Sequence, residues 1–272
     1  MKKMFLCLAF VLTVSVANAW WRNSEEAVVI VAEEYLAPKA KKMVNKYLGK
    51  SYADDVQYLY DLEKSKAKEV KLSKKARRKA AEIHYLHLDE NFQPKKVKGK
   101  DAFKATEAAL AVIRDCKSHS KAEVTTALRT VINLMCDMHH LWRIRIDGID
   151  HSQRDFKYNV PRGEVGKSKD DLIPTKWSKS WNSFDGGRHF YSAKYWAEDI
   201  RIYLGDRYAD YAKGNLRDWI ADNGQLAARY LEICKPGQTT SYMDRKMMQS
   251  ENYDMMVKAA CRLATLLNEV AE

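Results

Sequence analysis

The chain has 272 residues, of which 46% are hydrophobic and 31% are charged. This length is enough for one sizeable core and excludes more than two domains of ordinary size. Its 47 Lys and Arg outnumber its 36 Asp and Glu, which gives a formal net charge of +11. Such a balance favours anionic partners, such as nucleic acid or phosphorylated lipid, without proving either.

The first nineteen residues have the organisation of a cleaved export signal. Lys2 and Lys3 precede an apolar run from Met4 to Val16, and Ala17-Asn18-Ala19 has the small-residue pattern at which such signals are cut. The apolar run is too short to anchor the chain in a membrane. We therefore expect a periplasmic or secreted protein without a membrane span, which begins at Trp20 and carries 45 basic and 36 acidic residues.

Four cysteines follow the predicted signal: Cys116, Cys136, Cys234 and Cys261. Export permits disulfides, but four cysteines allow three pairings and the sequence does not choose among them. No two of these cysteines form a Cys-x-x-Cys pair, which argues against a zinc site built from thiolates.

Apolar residues recur every three or four positions through much of the N-terminal half, which predicts helices. The first helix is expected over Glu25–Leu48, with Ser24 as its N-cap and Gly49 at its end. Further helices are expected over Ser51–Tyr60, from Ser73 to His87 and over Phe103–Ile113, with a polar loop at Asn91–Lys100.

The most apolar periodic stretch is Thr125–Arg143, which predicts one long and largely buried helix. Asp137 lies at the edge of its apolar arc, with Asn133 one turn earlier and His140 nearly one turn later. A carboxylate near a core is costly unless a cation or several hydrogen-bond donors meet it. Asp137 is therefore either a metal ligand or the partner of a basic side chain.

The segment Ile149–Ser183 is rich in Gly, Pro, Ser, Asp and Lys, and it predicts a long loop with room for a short hairpin. Helical patterns resume at Ser192–Leu204, Tyr208–Ile233 and Glu251–Ala271. The pattern predicts an all-α fold: a single compact multi-helix domain over residues 20–272 with one long loop insertion.

Short segments spread over this domain form an ordered set of motifs. They are Trp20, Tyr52-Ala53-Asp54, His84-Tyr85-Leu86-His87, Asn133 to Arg143, and Ser180 to Asp185. In this order they resemble motifs of the secreted zinc-dependent S1/P1 nucleases. The family motifs are the N-terminal Trp, the Trp-Ala-Asp motif, the His-Phe/Tyr-Ile-Asp motif, the long His-x-x-Gly-Asp helix and the Leu-His-x-x-Trp-Asp loop. The superfamily of these nucleases includes zinc-dependent phospholipases C. The resemblance implies an all-α phospholipase C/nuclease-like fold.

The resemblance also implies positions for three zinc ions in one cleft. The first would use Asp54, His84, Asn133 and Asp137; the second the α-amino group and carbonyl of Trp20, with Glu25 and Asp137; the third Arg143, Trp181 and Asp185. Histidines of the family are replaced at four of these positions: Glu25, Asn133, Arg143 and Trp181. Gln57 replaces the family's phosphate-contacting arginine.

These replacements lead to two alternative expectations of function. An active protein would use one zinc ion, or at most two, to hydrolyse phosphodiester bonds of single-stranded nucleic acid or a nucleotide, with Asp54 and Asp137 as catalytic carboxylates. The alternative is a family member that has lost catalysis and acts as a binding or structural protein. Hydrolysis of phospholipid head groups is a third possibility on the same scaffold.

Individual residues leave further alternatives open. His87 and His140 are possible replacement ligands, whereas His139 falls within the apolar arc and is expected to pack there. Tyr85 corresponds to an aromatic residue that stacks on a nucleobase in the family, but a lone tyrosine is more often part of a core. Arg143 is expected to pair with Asp137 or Asp185 and so replace the third metal site by an ion pair.

Two basic segments and two tryptophans have similar alternatives. The stretch Lys66–Lys79 and the cluster Lys95, Lys96, Lys98 and Lys100 either follow a phosphate backbone or form solvated faces. Trp177 and Trp181 either stack on bases or hold the long loop against the core.

Overall fold

The computed structural model describes residues 20, 22–50, 52–69, 73, 75, 81–149, 156–161, 172–183 and 191–272. Within these residues, ten α-helices and two small two-stranded sheets confirm the predicted all-α fold class. The helices are α1 (Arg22–Glu34), α2 (Pro38–Leu48), α3 (Tyr58–Glu69), α4 (Ala102–Arg114), α5 (Lys121–Met138), α6 (Trp177–Ser183), α7 (Ala193–Leu204), α8 (Tyr208–Ala212), α9 (Leu216–Ile233) and α10 (Tyr242–Val270). Three 3-10 turns lie at Ala53–Gln57, Ala81–His84 and Leu141–Arg143.

The predicted first helix is two helices, because Pro38 interrupts it. Proline lacks a backbone N–H and its ring clashes with the preceding turn, so it is accommodated at the first position of α2 and not inside a continuous helix. Ser24 does not cap α1, since it is a buried residue inside that helix.

The expected helix from Ser73 to His87 is wrong at its C-terminal end. Leu86–Leu88 forms strand β1, which pairs in parallel with strand β2 at Ile144–Ile146. Of the preceding residues, Ser73 and Lys75 are described and most of 70–80 lie outside the described residues. The alternating buried, half-buried and buried residues of β1 fit a strand with one face in the core.

The buried helix predicted over Thr125–Arg143 is confirmed only as far as Met138. Ser120 and Glu123 form a capping box that starts α5. At the other end, His139 Nδ1 lies 2.8 Å from the carbonyl oxygen of Met135 and satisfies one of the acceptors of the last turn. The backbone becomes extended at His140 (φ −100°, ψ 108°) and leads through a 3-10 turn into β2. Pairing with β1 therefore ends the helix.

The polar segment after β2 contains more regular structure than the predicted loop. Strands β3 (Lys157–Pro161) and β4 (Leu172–Lys176) form the antiparallel hairpin for which the sequence left room. The short helix α6 follows β4 directly and was not predicted. Residues 150–155, 162–171 and 184–190 lie outside the described residues.

The C-terminal third follows the predicted helices with shifted ends. The helix predicted over Tyr208–Ile233 is divided into α8 and α9 at Gly214, whose φ of 94° favours glycine. Asn215 then caps α9 with its side-chain oxygen. The last helix begins at Tyr242, nine residues before its predicted start, because Ser241 and Asp244 form a capping box there.

The core lies between α1, α5 and the long C-terminal helix α10. Helix α1 packs against α7 and α10, and α4 packs along α5. None of the described helices is long and apolar enough to cross a membrane. All four cysteines after the predicted signal are free thiols, and Cys136, Cys234 and Cys261 are buried.

Candidate functional site

A cluster of buried charged and polar side chains lies where α5 ends. Its centre is Asp137, which has no exposed surface. Tyr60 Oη donates a hydrogen bond to Asp137 Oδ1 at 2.5 Å, and His84 Nδ1 lies 2.7 Å from Asp137 Oδ2. Arg143 Nε lies 3.5 Å from Asp137 Oδ1. Both carboxylate oxygens are therefore occupied by protein partners.

Four separate segments bring these residues together. Tyr60 comes from the first turn of α3, His84 from the 3-10 turn before β1, and Arg143 from the 3-10 turn after α5. The Tyr60 and His84 rings stack with centroids 4.1 Å apart and planes 10° from parallel. Arg143 Nη2 donates to Tyr60 Oη at 2.9 Å, so the phenol links the guanidinium to the carboxylate.

The pKa values of the three side chains around Asp137 are all raised, which favours the protonated forms that donate hydrogen bonds to it. Burial lowers the pKa of His84, but the charge and hydrogen bond of Asp137 and the nearby Glu63 raise it by more, so the net shift is upward. Burial likewise lowers the pKa of Arg143, while Tyr60 and Asp137 raise it above its ordinary value. Burial raises the pKa of Tyr60 well above its ordinary range, which keeps the phenol protonated.

His84 also faces a second carboxylate. Its Nε2 atom lies 3.4 Å from Glu63 Oε1, on the side of the ring opposite Asp137. The two carboxylates favour the protonated form of this ring, and their combined effect outweighs burial in raising the pKa of His84.

The Arg143 guanidinium also contacts two aromatic rings. Its central carbon lies 4.6 Å from the Trp142 ring centroid and 5.2 Å from that of Tyr85. Cation–π contacts of this kind partly replace the water that a buried guanidinium loses. The Arg145 guanidinium covers the Tyr85 ring at 4.3 Å, so this ring, which is buried, contacts two arginines.

A second buried carboxylate, Glu25, lies in the same region. The backbone nitrogen of Trp20 donates to Glu25 Oε1 at 3.0 Å, and Gln57 Nε2 donates to Glu25 Oε2. The charge of Glu25 acts on both Tyr60 and Arg143, which places it in the same electrostatic environment as Asp137. Gln57, a neutral donor to Glu25, therefore also belongs to this cluster.

The structure thus brings several of the sequence-predicted site residues into one cluster. Trp20, Glu25, His84 and Asp137 all belong to it, although its contacts are hydrogen bonds and ion pairs. The side chain of Asp54 and all of Asp185 lie outside the described residues. Asn133 is buried one turn before Asp137, where its Oδ1 accepts from the backbone nitrogen of Leu59 at 3.2 Å.

The remaining candidate residues have other surroundings. His87 is partly exposed on β1, with Nε2 3.4 Å from Glu82 Oε2. His140 is buried with its ring edge-on to Trp20 at 5.6 Å. His139 packs in the core as expected, with Nε2 3.2 Å from Arg262 Nη1. Trp181 is buried, with its ring 5.3 Å from that of Tyr230.

Sequence reasoning missed Tyr60 and Glu63 as members of the cluster. They stand three residues apart in α3, so both point toward the same side of that helix. This spacing was the one available signal. It gives no indication that the partner of that helix face is Asp137, which is 77 residues from Tyr60 in sequence.

As described, this arrangement does not fit a zinc ion. Zinc in proteins binds Cys, His, Asp or Glu atoms at about 2.0–2.3 Å, and it needs their lone pairs free. Here Asp137 accepts from Tyr60 and His84, and a cationic guanidinium stands beside its Oδ1. Across the part of the chain that the structure describes, no group of three or more His, Cys, Asp or Glu residues is arranged to hold a metal ion.

Comparisons of this chain with models of known protein families and with curated proteins find no match.

Proposed function

We propose that this protein is an exported relative of the S1/P1 nucleases in which a buried ion-pair network replaces the metal centre. In this proposal it begins at Trp20 after removal of residues 1–19 and binds an anionic partner, single-stranded nucleic acid, without cleaving it. Zinc-dependent phosphodiester hydrolysis is the second candidate.

The observation that carries this proposal is the position of Arg143. Its guanidinium is buried, lies 3.5 Å from Asp137 and makes cation–π contacts with Trp142 and Tyr85. A buried cation at this point neutralises the carboxylate and repels a metal ion. The arginine therefore takes over the electrostatic task that the resemblance assigns to zinc.

The basic surface supports an anionic partner. Lys95, Lys96, Lys98 and Lys100 are exposed along one short polar segment. Lys95 Nζ lies 2.6 Å from Asp147 Oδ2, so its charge is partly compensated, whereas the other three add positive charge to this surface. The basic stretch Lys66–Lys79 falls mostly outside the described residues.

The metal content and hydrolytic activity of the purified mature protein test the first half of the proposal. We expect far less than one zinc per chain by elemental analysis, and no zinc-dependent cleavage of single-stranded DNA or RNA. Loss of one charge-stabilising group commonly costs about 10² to 10³ in rate, and both a phosphate-contacting arginine and several ligand histidines are replaced here. Robust cleavage with added zinc would overturn the proposal.

Binding of a labelled single strand, measured by fluorescence anisotropy, tests the second half. We expect the triple variant Lys96→Gln, Lys98→Gln and Lys100→Gln to weaken binding and to reduce its salt dependence. The matched control removes three exposed lysines from α2 with Lys39→Gln, Lys41→Gln and Lys42→Gln, which gives the same change in net charge. Equal weakening by both triple variants would indicate a net-charge effect and no site in the polar segment. Absence of single-strand binding to the unaltered protein would refute this half.

A specific observation favours the second candidate. Trp20 and Glu25 at the start of α1 meet His84 and Asp137 from two other segments in one cluster, as the resemblance requires of zinc-site positions. If the protein is a zinc enzyme, added zinc should raise its melting temperature, and Asp54→Ala or His84→Ala should abolish both this stabilisation and cleavage. In the ion-pair proposal, zinc leaves the melting temperature unchanged and produces no cleavage.

A further inference from the structure

The backbone nitrogen of Trp20 lies inside the protein. Trp20 is 2% exposed, and the carboxylate that accepts its hydrogen bond at 3.0 Å belongs to Glu25, which has no exposed surface. In the full chain this nitrogen is a neutral amide, because residues 1–19 precede it.

Other contacts fix Trp20 in this position. Its indole Nε1 donates to Asn252 Oδ1 at 2.8 Å, which ties the residue to the middle of α10. Its ring is also edge-on to the His140 ring, with centroids 5.6 Å apart. The nitrogen is therefore held beside Glu25 by contacts that do not depend on their hydrogen bond.

Cleavage of the predicted export signal changes the chemistry of this nitrogen. Hydrolysis adds one water molecule across the peptide bond between Ala19 and Trp20. Ala19 leaves with a carboxylate, and Trp20 gains an amine that takes up the released proton to become an ammonium. The amide has one hydrogen to donate, whereas the ammonium has three hydrogens and a positive charge.

We infer that removal of the export signal creates a buried ion pair between the α-ammonium of Trp20 and the carboxylate of Glu25, and that this pair locks the mature fold. The inference rests on the cleavage that our proposed function includes, but not on nucleic-acid binding. Before cleavage Glu25 accepts hydrogen bonds from the neutral Trp20 amide and the neutral Gln57 amide. After cleavage a cation stands directly beside it.

The charges of the surrounding cluster favour such a cation. Asp137 and Glu25 are both fully buried, and the charge of Glu25 reaches Arg143, which already pairs with Asp137. A hydrogen bond from an ammonium to a carboxylate is roughly twice as strong as one between neutral groups. The nitrogen that becomes the ammonium already lies 3.0 Å from Glu25 Oε1.

A double-mutant cycle on the mature protein tests the inference. One chain begins at Trp20 and the other retains Ala19 as one extra residue, and each is prepared with and without Glu25→Gln. We expect Glu25→Gln to reduce the equilibrium constant for folding at least tenfold more in the chain that begins at Trp20, as measured by urea unfolding. Glu26→Gln is the matched control on the same helix, since Glu26 pairs with Arg22 and not with Trp20. It should have the same effect in both chains.

Equal effects of Glu25→Gln in the two chains would overturn the inference. If a variant fails to fold, amine labelling of the unaltered mature protein still decides the question. We expect the Trp20 α-amine to react with an amine-directed reagent at least tenfold more slowly in the native protein than in urea, whereas the exposed Lys39 should react at similar rates in both. A fully reactive native α-amine would refute burial of the ammonium. N-terminal sequencing of the exported protein separately tests the cleavage on which the inference depends.

Discussion

Replacing Asp137 by asparagine tests the ion-pair network most directly. The substitution preserves the shape of the side chain but removes the negative charge that Tyr60, His84 and Arg143 all face. The buried Arg143 guanidinium would then lose its counter-charge, and His84 would lose the carboxylate that favours its protonated form. Loss of one partner from a buried ion pair typically costs about 3–5 kcal/mol, and we expect Asp137→Asn to fall in this range.

The assay is urea unfolding at pH 7 of the chain that begins at Trp20, supported by thermal melts. For a chain of this size, about 1 kcal/mol shifts the melting temperature by roughly 2–4 °C, so a loss of roughly 10 °C is expected. The matched control is Asp147→Asn, because Asp147 forms a close but exposed pair with Lys95. Such exposed pairs contribute about 0–1 kcal/mol.

Arg143→Met completes a thermodynamic cycle, since methionine retains much of the apolar volume without the charge. We expect the double variant to lose about 2 kcal/mol less than the sum of the two single losses, because neither charge is then left alone. Additive losses would show that the two side chains do not interact. A loss for Asp137→Asn no larger than that for Asp147→Asn would refute the network itself. If zinc stabilises the unaltered protein and Asp137→Asn abolishes that effect, Asp137 is a metal ligand.

Burial, followed by a neighbouring guanidinium, lowers the pKa of His139 well below its ordinary 6.5, so the native state holds this ring neutral while the unfolded chain protonates it. Stability should therefore fall as pH decreases below about 6.5, by up to about 1.4 kcal/mol per pH unit. The measurement is the urea midpoint between pH 5.5 and 7.5. Its dependence on pH should disappear in His139→Gln and persist in the control His119→Gln. An unchanged pH dependence in His139→Gln would exclude His139 as the cause. A second expectation concerns Gly224, where an added Cβ would lie 2.5 Å from a methyl carbon of Leu88. Gly224→Ala should lower the free energy of unfolding in urea by about 1–3 kcal/mol, in spite of the better helix propensity of alanine. The control Gln225→Ala, on the exposed side of the helix, should be nearly neutral. A stabilised Gly224 variant would contradict the close packing.

Much of the helical fold was predictable from local sequence. Apolar spacing located α4, α7 and most of α5, because a helix that buries one face must repeat its apolar residues every three or four positions. The same spacing placed Asp137 at the edge of a buried face and so identified it as a residue that needs a compensating partner. It also predicted that His139 packs in the core.

Only the tertiary structure decided where α5 ends and which partner Asp137 takes. The periodic pattern continues past Met138, but pairing of β2 with β1 competes for the backbone and ends the helix there. The partners of Asp137 include Tyr60 and His84, which are 77 and 53 residues away in sequence, and periodicity within one segment carries no information about such pairs. The pairing of Arg143 with Asp137 likewise required the turn after α5, since that turn directs the guanidinium back toward the carboxylate. Local sequence therefore identified a buried charge in need of neutralisation, and the packing of distant segments determined how it is neutralised.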